Sequence, residues 1–319
     1  MIHNHPFIIY ARSLKERFNT CCNKKSNRFK EIYVSHKRVG RLFVLFNETE
    51  NGKDVKKRIK TVIENIDLSG VDGFERNDFY FIDDMFVKVQ VPHIYFYEKF
   101  NVVKEFFISS HLFNKHFPVP KPLFVAILPL FDESSDVVAK SIIAYEKLPN
   151  HFKQLNDVLS YNLPQDFYMN ILNKLAVLIA GMHTLNVFHG DLHSRNIVVD
   201  LNSIFDSGGR EVDLKFIDFE SSDLIDYSSL DDLYIISEDI SLILNSIVEQ
   251  LLNVGFNYNS VFNKFFDMYY ESIKSAFPMD LLSRFNEIMR STISSIQSNL
   301  SFILSVNSEN TKKNAKADV

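Results

Sequence analysis

Two short segments hold residue types that can act together chemically. The first is His189-Gly190-Asp191-Leu192-His193-Ser194-Arg195-Asn196, running into Ile197-Val198-Val199. The second is Phe216-Ile217-Asp218-Phe219-Glu220. Asp191 falls in a loop, and Asn196 opens a strand over Ile197–Asp200 five residues later. The expected hairpin partner, Leu214–Phe219, turns around Ser207-Gly208-Gly209 and carries Asp218 near its end. Two carboxylates and an amide then meet at one end of a hairpin. Phosphoryl transfer needs such a set: a carboxylate to orient and deprotonate the acceptor, and oxygen ligands for Mg²⁺ on the phosphates. The Asp-x-x-x-x-Asn spacing alone is weak, since Asp and Asn also cap turns. The apolar flanks and the Ile-Asp-Phe segment give it weight. His189 and His193 do not read as a metal pair, because an i,i+4 pair needs a helix and this is a loop. His183 reads as a core or capping histidine. Arg195 is open between contact with a phosphate or the acceptor and no role.

The elements that must position these residues come in two kinds. Glu31–Ser35 and Arg41–Phe46 read as strands around Gly40. Lys53–Ile66 fits a helix, with Val55, Ile59, Val62 and Ile63 on one stripe, or in part a strand. Asn77–Ile82 and Met85–Val91 form a hairpin turning at Asp83-Asp84. A helix from about Tyr97 to His116 stops at Pro118-Val119-Pro120-Lys121-Pro122. Strands Leu123–Leu130 and Val137–Tyr145 follow. From Asp166 the spacing changes: Phe167, Ile171, Leu172, Leu175, Ile179 and Met182 make one buried helical face. Ser237–Ile303 is largely helical. A sheet-rich lobe over 1–147 and a helical lobe over 148–319 are expected, an α+β chain with its ligand in a cleft between them.

Composition bounds the reading. At 319 residues, 46% hydrophobic and 24% charged, the chain suits two lobes better than one core. No apolar run nears the roughly 18 residues of a spanning helix, and no secretory signal is visible. The adjacent Cys21 and Cys22 make neither an unstrained disulfide nor a zinc site, which suits a reducing compartment. Net charge is −5, with +10 on residues 1–60 and −15 on the rest. The basic segment faces a polyanion or is a solvated arm. As a helix, Lys53–Ile66 sets Lys56, Lys57, Arg58 and Lys60 opposite an apolar stripe, suiting an anionic membrane surface or plain packing. The lysine-free run Ser221–Asn263 is an acidic solvated face or an acceptor-binding wall.

With these residues in view, His189-Gly190-Asp191-Leu192-His193, Asn196 and Ile217-Asp218-Phe219 resemble the catalytic and metal-binding loops of the protein-kinase-like superfamily. Gly190, where protein kinases usually carry Arg, is more typical of small-molecule phosphotransferases and of bacterial lipopolysaccharide core (heptose or Kdo) kinases. Phe86-Val87-Lys88-Val89 resembles the strand whose Lys contacts the nucleotide phosphates; the plain alternative is an edge-strand lysine. Glu105 suits the ion pair that positions that Lys, with Glu98 as competitor. The Pro-Val-Pro-Lys-Pro helix exit is similar to the sugar-kinase branch. Ile142–Leu148, including Glu146, looks like the hinge whose backbone binds adenine. Glu238-Asp239 resembles an Asp-bearing helix start that braces the catalytic loop. The resemblance spans about residues 70–250.

It departs from the protein-kinase pattern in three places. Gly70 and Gly73 stand where an intact G-x-G-x-x-G is expected, Glu220 replaces the Gly of Asp-Phe-Gly, and no Ala-Pro-Glu follows.

The resemblance implies a two-lobed protein-kinase-like fold and ATP and Mg²⁺ as cofactors. It implies Asp191 as base, Asn196 and Asp218 on the metal, and Lys88, Glu105, Gly70, Gly73 and Glu146 on the nucleotide. A lipopolysaccharide core sugar is the implied acceptor, at the cytosolic face of the inner membrane, peripheral or free in the cytoplasm, with no nucleic-acid partner. Two rivals stand beside this reading: a soluble aminoglycoside- or choline-type phosphotransferase, and a nucleotide-binding pseudokinase or adaptor. The presence of Lys88, Asp191, Asn196 and Asp218 together weighs against the pseudokinase.

Overall fold

The computed structural model describes residues 5–21, 28–66, 77–90, 101–131, 137–161, 163–208, 210–227, 229–253, 258–275, 277 and 279–317. The chain forms two compact units. One comprises Met1–Phe152 with Lys215–Asp223, the other Lys153–Leu214 with Leu224–Val319.

In the first unit, helix α1 (Pro6–Cys21) precedes strands β1 (Phe29–His36) and β2 (Gly40–Asn47), then α2 (Gly52–Asn65). Strands β3 (Asn77–Ile82) and β4 (Met85–Gln90) follow, then α3 (Asn101–Asn114), β5 (Pro122–Phe131) and β6 (Val137–Glu146). The six strands form one antiparallel sheet in the order β1-β2-β5-β6-β4-β3. The β1–β2 turn needs Gly40 at φ +80, a backbone region that costs a side chain. The expected hairpin at Asp83-Asp84 is present, with Asp83 at φ 51. Residues 91–100, where the helix start and Glu98 were expected, lie outside the described residues, as do Gly70 and Gly73.

The ambiguity at Lys53–Ile66 resolves to a helix. Asn51 caps it by accepting from the Lys53 N–H at 3.0 Å. Val55, Ile59, Val62 and Ile63 are buried in one cluster with Val44, Val87, Val89, Ala126 and Ile142 of the sheet. The apolar stripe is therefore spent on the core and is not free to enter a bilayer, while Lys53, Lys56, Lys57 and Lys60 stay exposed. The opposite side of the sheet carries α3, which packs against β5 and β6. Phe29, Phe106, Phe107 and Phe18 interlock there, ring centroids 4.7–5.8 Å apart. Helix α1 was not expected from the sequence. It ties down part of the basic segment: Arg12 and Lys15 reach Glu31 at 3.0 and 3.2 Å.

The second unit is mainly helical: α4 (Leu155–Leu159), α5 (Gln165–Thr184), α6 (Leu201–Asp206), α7 (Leu230–Asn253), α8 (Tyr258–Ile273) and α9 (Met279–Ala317). The α5 face is as spaced, except that Tyr168 is buried and Phe167 only half so. The expected hairpin is present, with Ile197–Asp200 and Leu214–Phe216 as neighbours in one small sheet, but its connection holds a helix as well as the glycine turn. Strand Ile197–Asp200 runs into α6, which Asp200 caps through the N–H groups of Asn202 and Ser203. The following strand, Leu214–Phe216, ends two residues before Asp218. Sheet first and helices after is the α+β order of the protein-kinase-like resemblance. Among the described residues, no helix is long and apolar enough to cross a membrane.

Candidate active site

The expected site residues fall into the two units, and each unit builds its own constellation. In the first, β4 alternates so that Val87 and Val89 face α2 while Phe86, Lys88 and Gln90 face the other way. Lys88 is only 2% exposed. A lysine this buried needs counter-charge, and three carboxylates supply it. Its Nζ donates to Glu105 Oε2 on α3 at 3.0 Å, to Asp218 Oδ1 at 2.8 Å and to Glu220 Oε2 at 2.6 Å. Tyr145 OH donates to Glu105 Oε1 at 2.8 Å, with Ser109 3.1 Å from the same hydroxyl. Gln90 Nε2 and Asn77 Nδ2 donate to Glu220 at 2.7 and 3.0 Å. The cluster thus links the sheet, α3 and the 215–223 segment.

Asp218 sits at φ 63, the left-handed region that Asp tolerates better than most side chains. The next residues form a short turn that buries Phe219 and brings Glu220 back to Lys88.

Burial alone would push Lys88 down, but Glu105, Asp218 and Glu220 outweigh it and hold the ammonium above the ordinary lysine range. For Glu105 burial is the largest influence, pushing its carboxyl up; Lys88 pulls it down and Asp218 pushes it up, leaving it at about 7. Burial likewise raises Tyr145, keeping its phenol protonated as a donor. Carboxylate oxygens of Glu105, Asp218 and Glu220 lie within 4.8 Å of one another. Three carboxyl groups against one ammonium leave an anionic excess, and hard oxygen donors of this kind suit Mg²⁺.

In the second unit, the 189–196 loop is pinned from α7. Asp239, 1% exposed, accepts from the His189 N–H at 2.7 Å and the Gly190 N–H at 2.9 Å. It also lies 3.1 Å from His183 Nε2, whose Nδ1 meets Tyr269 OH at 2.7 Å. His183 is therefore a core histidine. Asp239 stands well inside α7, which begins at Leu230, and not at a helix start as expected. Gly190 adopts φ 76, which explains why a side chain is disfavoured there. Asn196 Nδ2 donates to the Asp191 carbonyl at 2.9 Å and to Asp191 Oδ2 at 3.1 Å. His193 Nε2 lies 3.4 Å from the same carboxylate oxygen. Asp191 is half-buried and Arg195 exposed.

Glu146 has an exposed side chain at the end of β6. Its N–H donates to the Lys121 carbonyl, and that of Lys147 to the Asp84 carbonyl, at 2.9 and 2.8 Å. Tyr145, Gln90 and Asn77 were not picked out from the sequence, and Glu220 only as a departure from a motif. Period-2 alternation from Lys88 could have found Gln90; nothing local marks the others.

Residues 80–231 match the sequence family described as "Kdo: Lipopolysaccharide kinase (Kdo/WaaP) family". No curated protein matches the chain. Among solved structures, the chain is similar to "WaaP in complex with acyl carrier protein" at 13% identity and a TM-score of 0.48, covering 71% of this chain and 86% of that one. A second is titled "A divergent kinase lacking the glycine-rich loop regulates membrane ultrastructure of the Toxoplasma parasitophorous vacuole". It matches at 12% identity and a TM-score of 0.35, covering 89% of this chain and 82% of that one. Neither likeness bears on the site.

Proposed function

From the match of residues 80–231 to the lipopolysaccharide kinase (Kdo/WaaP) family, we propose an ATP-dependent kinase that phosphorylates a hydroxyl of a lipopolysaccharide core sugar, heptose or Kdo. The observation that carries the reading is the buried Lys88, held by Glu105 and by Asp218 at 3.0 and 2.8 Å. Three residues spread over 130 positions meet as phosphate chemistry requires. Lys88 neutralises the nucleotide phosphates, and Glu105, itself braced by Tyr145, positions it. Asp218 and Asn196 are the residues that would hold Mg²⁺, which when bound would offset charge on the phosphate oxygens. Gly70, Gly73 and the backbone at Glu146 serve the nucleotide. Asp191 orients the sugar hydroxyl and takes its proton as that oxygen bonds to the γ-phosphorus. The bond from the γ-phosphorus to the bridging oxygen breaks, and ADP leaves. Positioning and charge stabilisation supply most of the rate.

A lipid-linked acceptor places the reaction at an anionic surface, and the exposed lysines of α2 suit peripheral attachment on the cytosolic side. One observation favours the second reading, a soluble small-molecule phosphotransferase: the apolar stripe of α2 is already spent on the core.

The test is phosphate transfer from labelled ATP with Mg²⁺ to extracted lipopolysaccharide, beside free aminoglycoside and choline acceptors. Label on the core sugar is expected. Asp191→Asn should lose about 10²-fold or more of turnover with ATP affinity nearly intact, the scale of general-base catalysis. Label on the free acceptors alone overturns the lipopolysaccharide assignment. A variant keeping more than about a tenth of wild-type turnover overturns the role of Asp191.

A further inference from the structure

Lys88 Nζ carries three N–H donors, and all three end on carboxylates: Glu105 at 3.0 Å, Asp218 at 2.8 Å and Glu220 at 2.6 Å. No donor is left for a phosphate oxygen. The charge balance is equally unfavourable, since one ammonium faces three carboxyl groups and a polyphosphate is itself an anion. A carboxylate must therefore leave before Lys88 can serve a nucleotide.

The three are not alike. Glu105 is buried on α3, with its second oxygen held by Tyr145, and it keeps Lys88 in place. Asp218 is the carboxylate that Mg²⁺ would offset in the kinase reading. Glu220 has neither role, yet its contact with Lys88 is the shortest of the three. The sheet also fastens it: Gln90 Nε2 donates to Oε1 at 2.7 Å and Asn77 Nδ2 to Oε2 at 3.0 Å. Asn77 and Gln90 stand opposite each other in the β3–β4 register, and Gln90 lies two residues beyond Lys88, so the three donors share one face. Gln90 is 9% exposed, and its Oε1 meets no hydrogen-bond partner among the described residues. A buried acceptor left unpaired costs free energy, and the bond from Nε2 to Glu220 offsets it. A carboxylate gripped by an ammonium and two amides occupies the place of a phosphate group.

We propose that Glu220 is an autoinhibitory latch: its carboxylate competes with nucleotide phosphate for Lys88, Gln90 and Asn77 fasten it there, and ATP binds only by displacing it. The inference rests on the kinase reading above and adds to it a control on nucleotide entry. The Glu220 side chain is 21% exposed and sits in a three-residue turn, so its release into solvent requires no movement of the sheet or of α3.

Calorimetry on the full-length protein tests it. Glu220→Gln keeps the shape and removes the charge, so ATP and tripolyphosphate, each with Mg²⁺, should bind roughly tenfold more tightly, the worth of one hydrogen bond to a charged group. A merely structural role for Glu220 predicts a loss of affinity and not a gain. Adenosine, which has no phosphate, should bind wild type and variant alike. Asp78→Asn, which removes the same charge from the other face of β3, should change nothing. Gln90→Met loosens the latch with Glu220 still present and should tighten tripolyphosphate binding about threefold; should Glu220→Gln fail to fold, this variant decides by the same criterion. Equal or weaker phosphate binding in Glu220→Gln overturns the latch while the kinase reading stands, as does a gain that adenosine or Asp78→Asn shows equally. If neither wild type nor Glu220→Gln binds ATP or tripolyphosphate, the kinase reading falls and takes the latch with it.

Discussion

At the residue scale, Lys88 and Glu105 oppose each other in how they respond to burial. Lys88 keeps its proton because three carboxylates surround it, whereas Glu105 is held at about 7 by burial despite the neighbouring ammonium. A carboxyl raised in the folded state contributes stability that is complete below its ordinary value, near 4.5, and lost as pH rises through about 7. Removing Lys88 takes away the group that lowers Glu105, so the loss should deepen and extend to higher pH. Lys88→Met is therefore expected to be destabilised by about 3–5 kcal/mol at pH 8, the cost of an unpaired buried charge, and by less at pH 6. Lys88→Met/Glu105→Gln should flatten that dependence, since the carboxyl is gone. Urea denaturation at both pH values measures it; a deficit for Lys88→Met that does not change with pH contradicts the charge account.

At the element scale, the 189–196 loop holds its form because a helix is aimed at it. Asp239 on α7 accepts two successive backbone N–H groups, from His189 and Gly190, and shares a hydrogen bond with His183 of α5. Few other side chains can do this, since the loop turns through a positive φ at Gly190 to present both donors in one direction. Asp239→Ala leaves those donors without their acceptor, at about 1–3 kcal/mol each. A loss of roughly 2–5 kcal/mol in stability is expected, with faster amide exchange at His189 and Gly190 and a lower kcat. Asp239→Asn, which keeps one acceptor oxygen, should fall between. Unchanged exchange at these two amides in Asp239→Ala would show that the loop does not depend on α7.

At the scale of the whole molecule, charge is divided along the chain, +10 on residues 1–60 and −15 on the remainder. Part of the positive end is used internally, as at Arg12 and Lys15 on Glu31, Lys30 on Glu48 and Arg58 on Asp84. The exposed lysines of α2 remain, and its apolar face is buried, so attraction to an anionic surface can only be electrostatic. Each Lys or Arg near such a surface contributes about 1 kcal/mol, screened over about 10 Å at 0.1 M salt. Changing Lys56, Lys57, Arg58 and Lys60 to Gln should weaken co-sedimentation with anionic vesicles at least tenfold at low salt, and wild type should release at high salt. Equal binding of both proteins at both salts removes α2 from membrane attachment and favours the soluble small-molecule kinase.

Much of the architecture was legible because it rests on local periodicity. Alternation around Lys88, the hairpin at Asp83-Asp84, the apolar face of α5 and the proline stop after α3 are all patterns of a few residues, which backbone geometry enforces. Lys53–Ile66 was not decidable that way: Val55, Ile59, Val62 and Ile63 suit a helix while Ile59–Ile66 also suits a strand. Docking of that stripe on the sheet selects the helix. The helix α6 within the connection of the 197–216 hairpin is readable in principle from Asp200 as an N-cap, a signal that the glycines of the turn outweigh. Gly190 was visible as an unusual residue, but its reason, a positive φ feeding two N–H groups to Asp239, exists only in three dimensions. Glu220 shows the limit most clearly. By sequence it is a departure from Asp-Phe-Gly; in the fold it meets Lys88, Gln90 and Asn77 from 130 to 143 residues away. Local pattern determines which face a side chain takes, whereas partners brought together by long loops are settled by packing, which no short window of sequence contains.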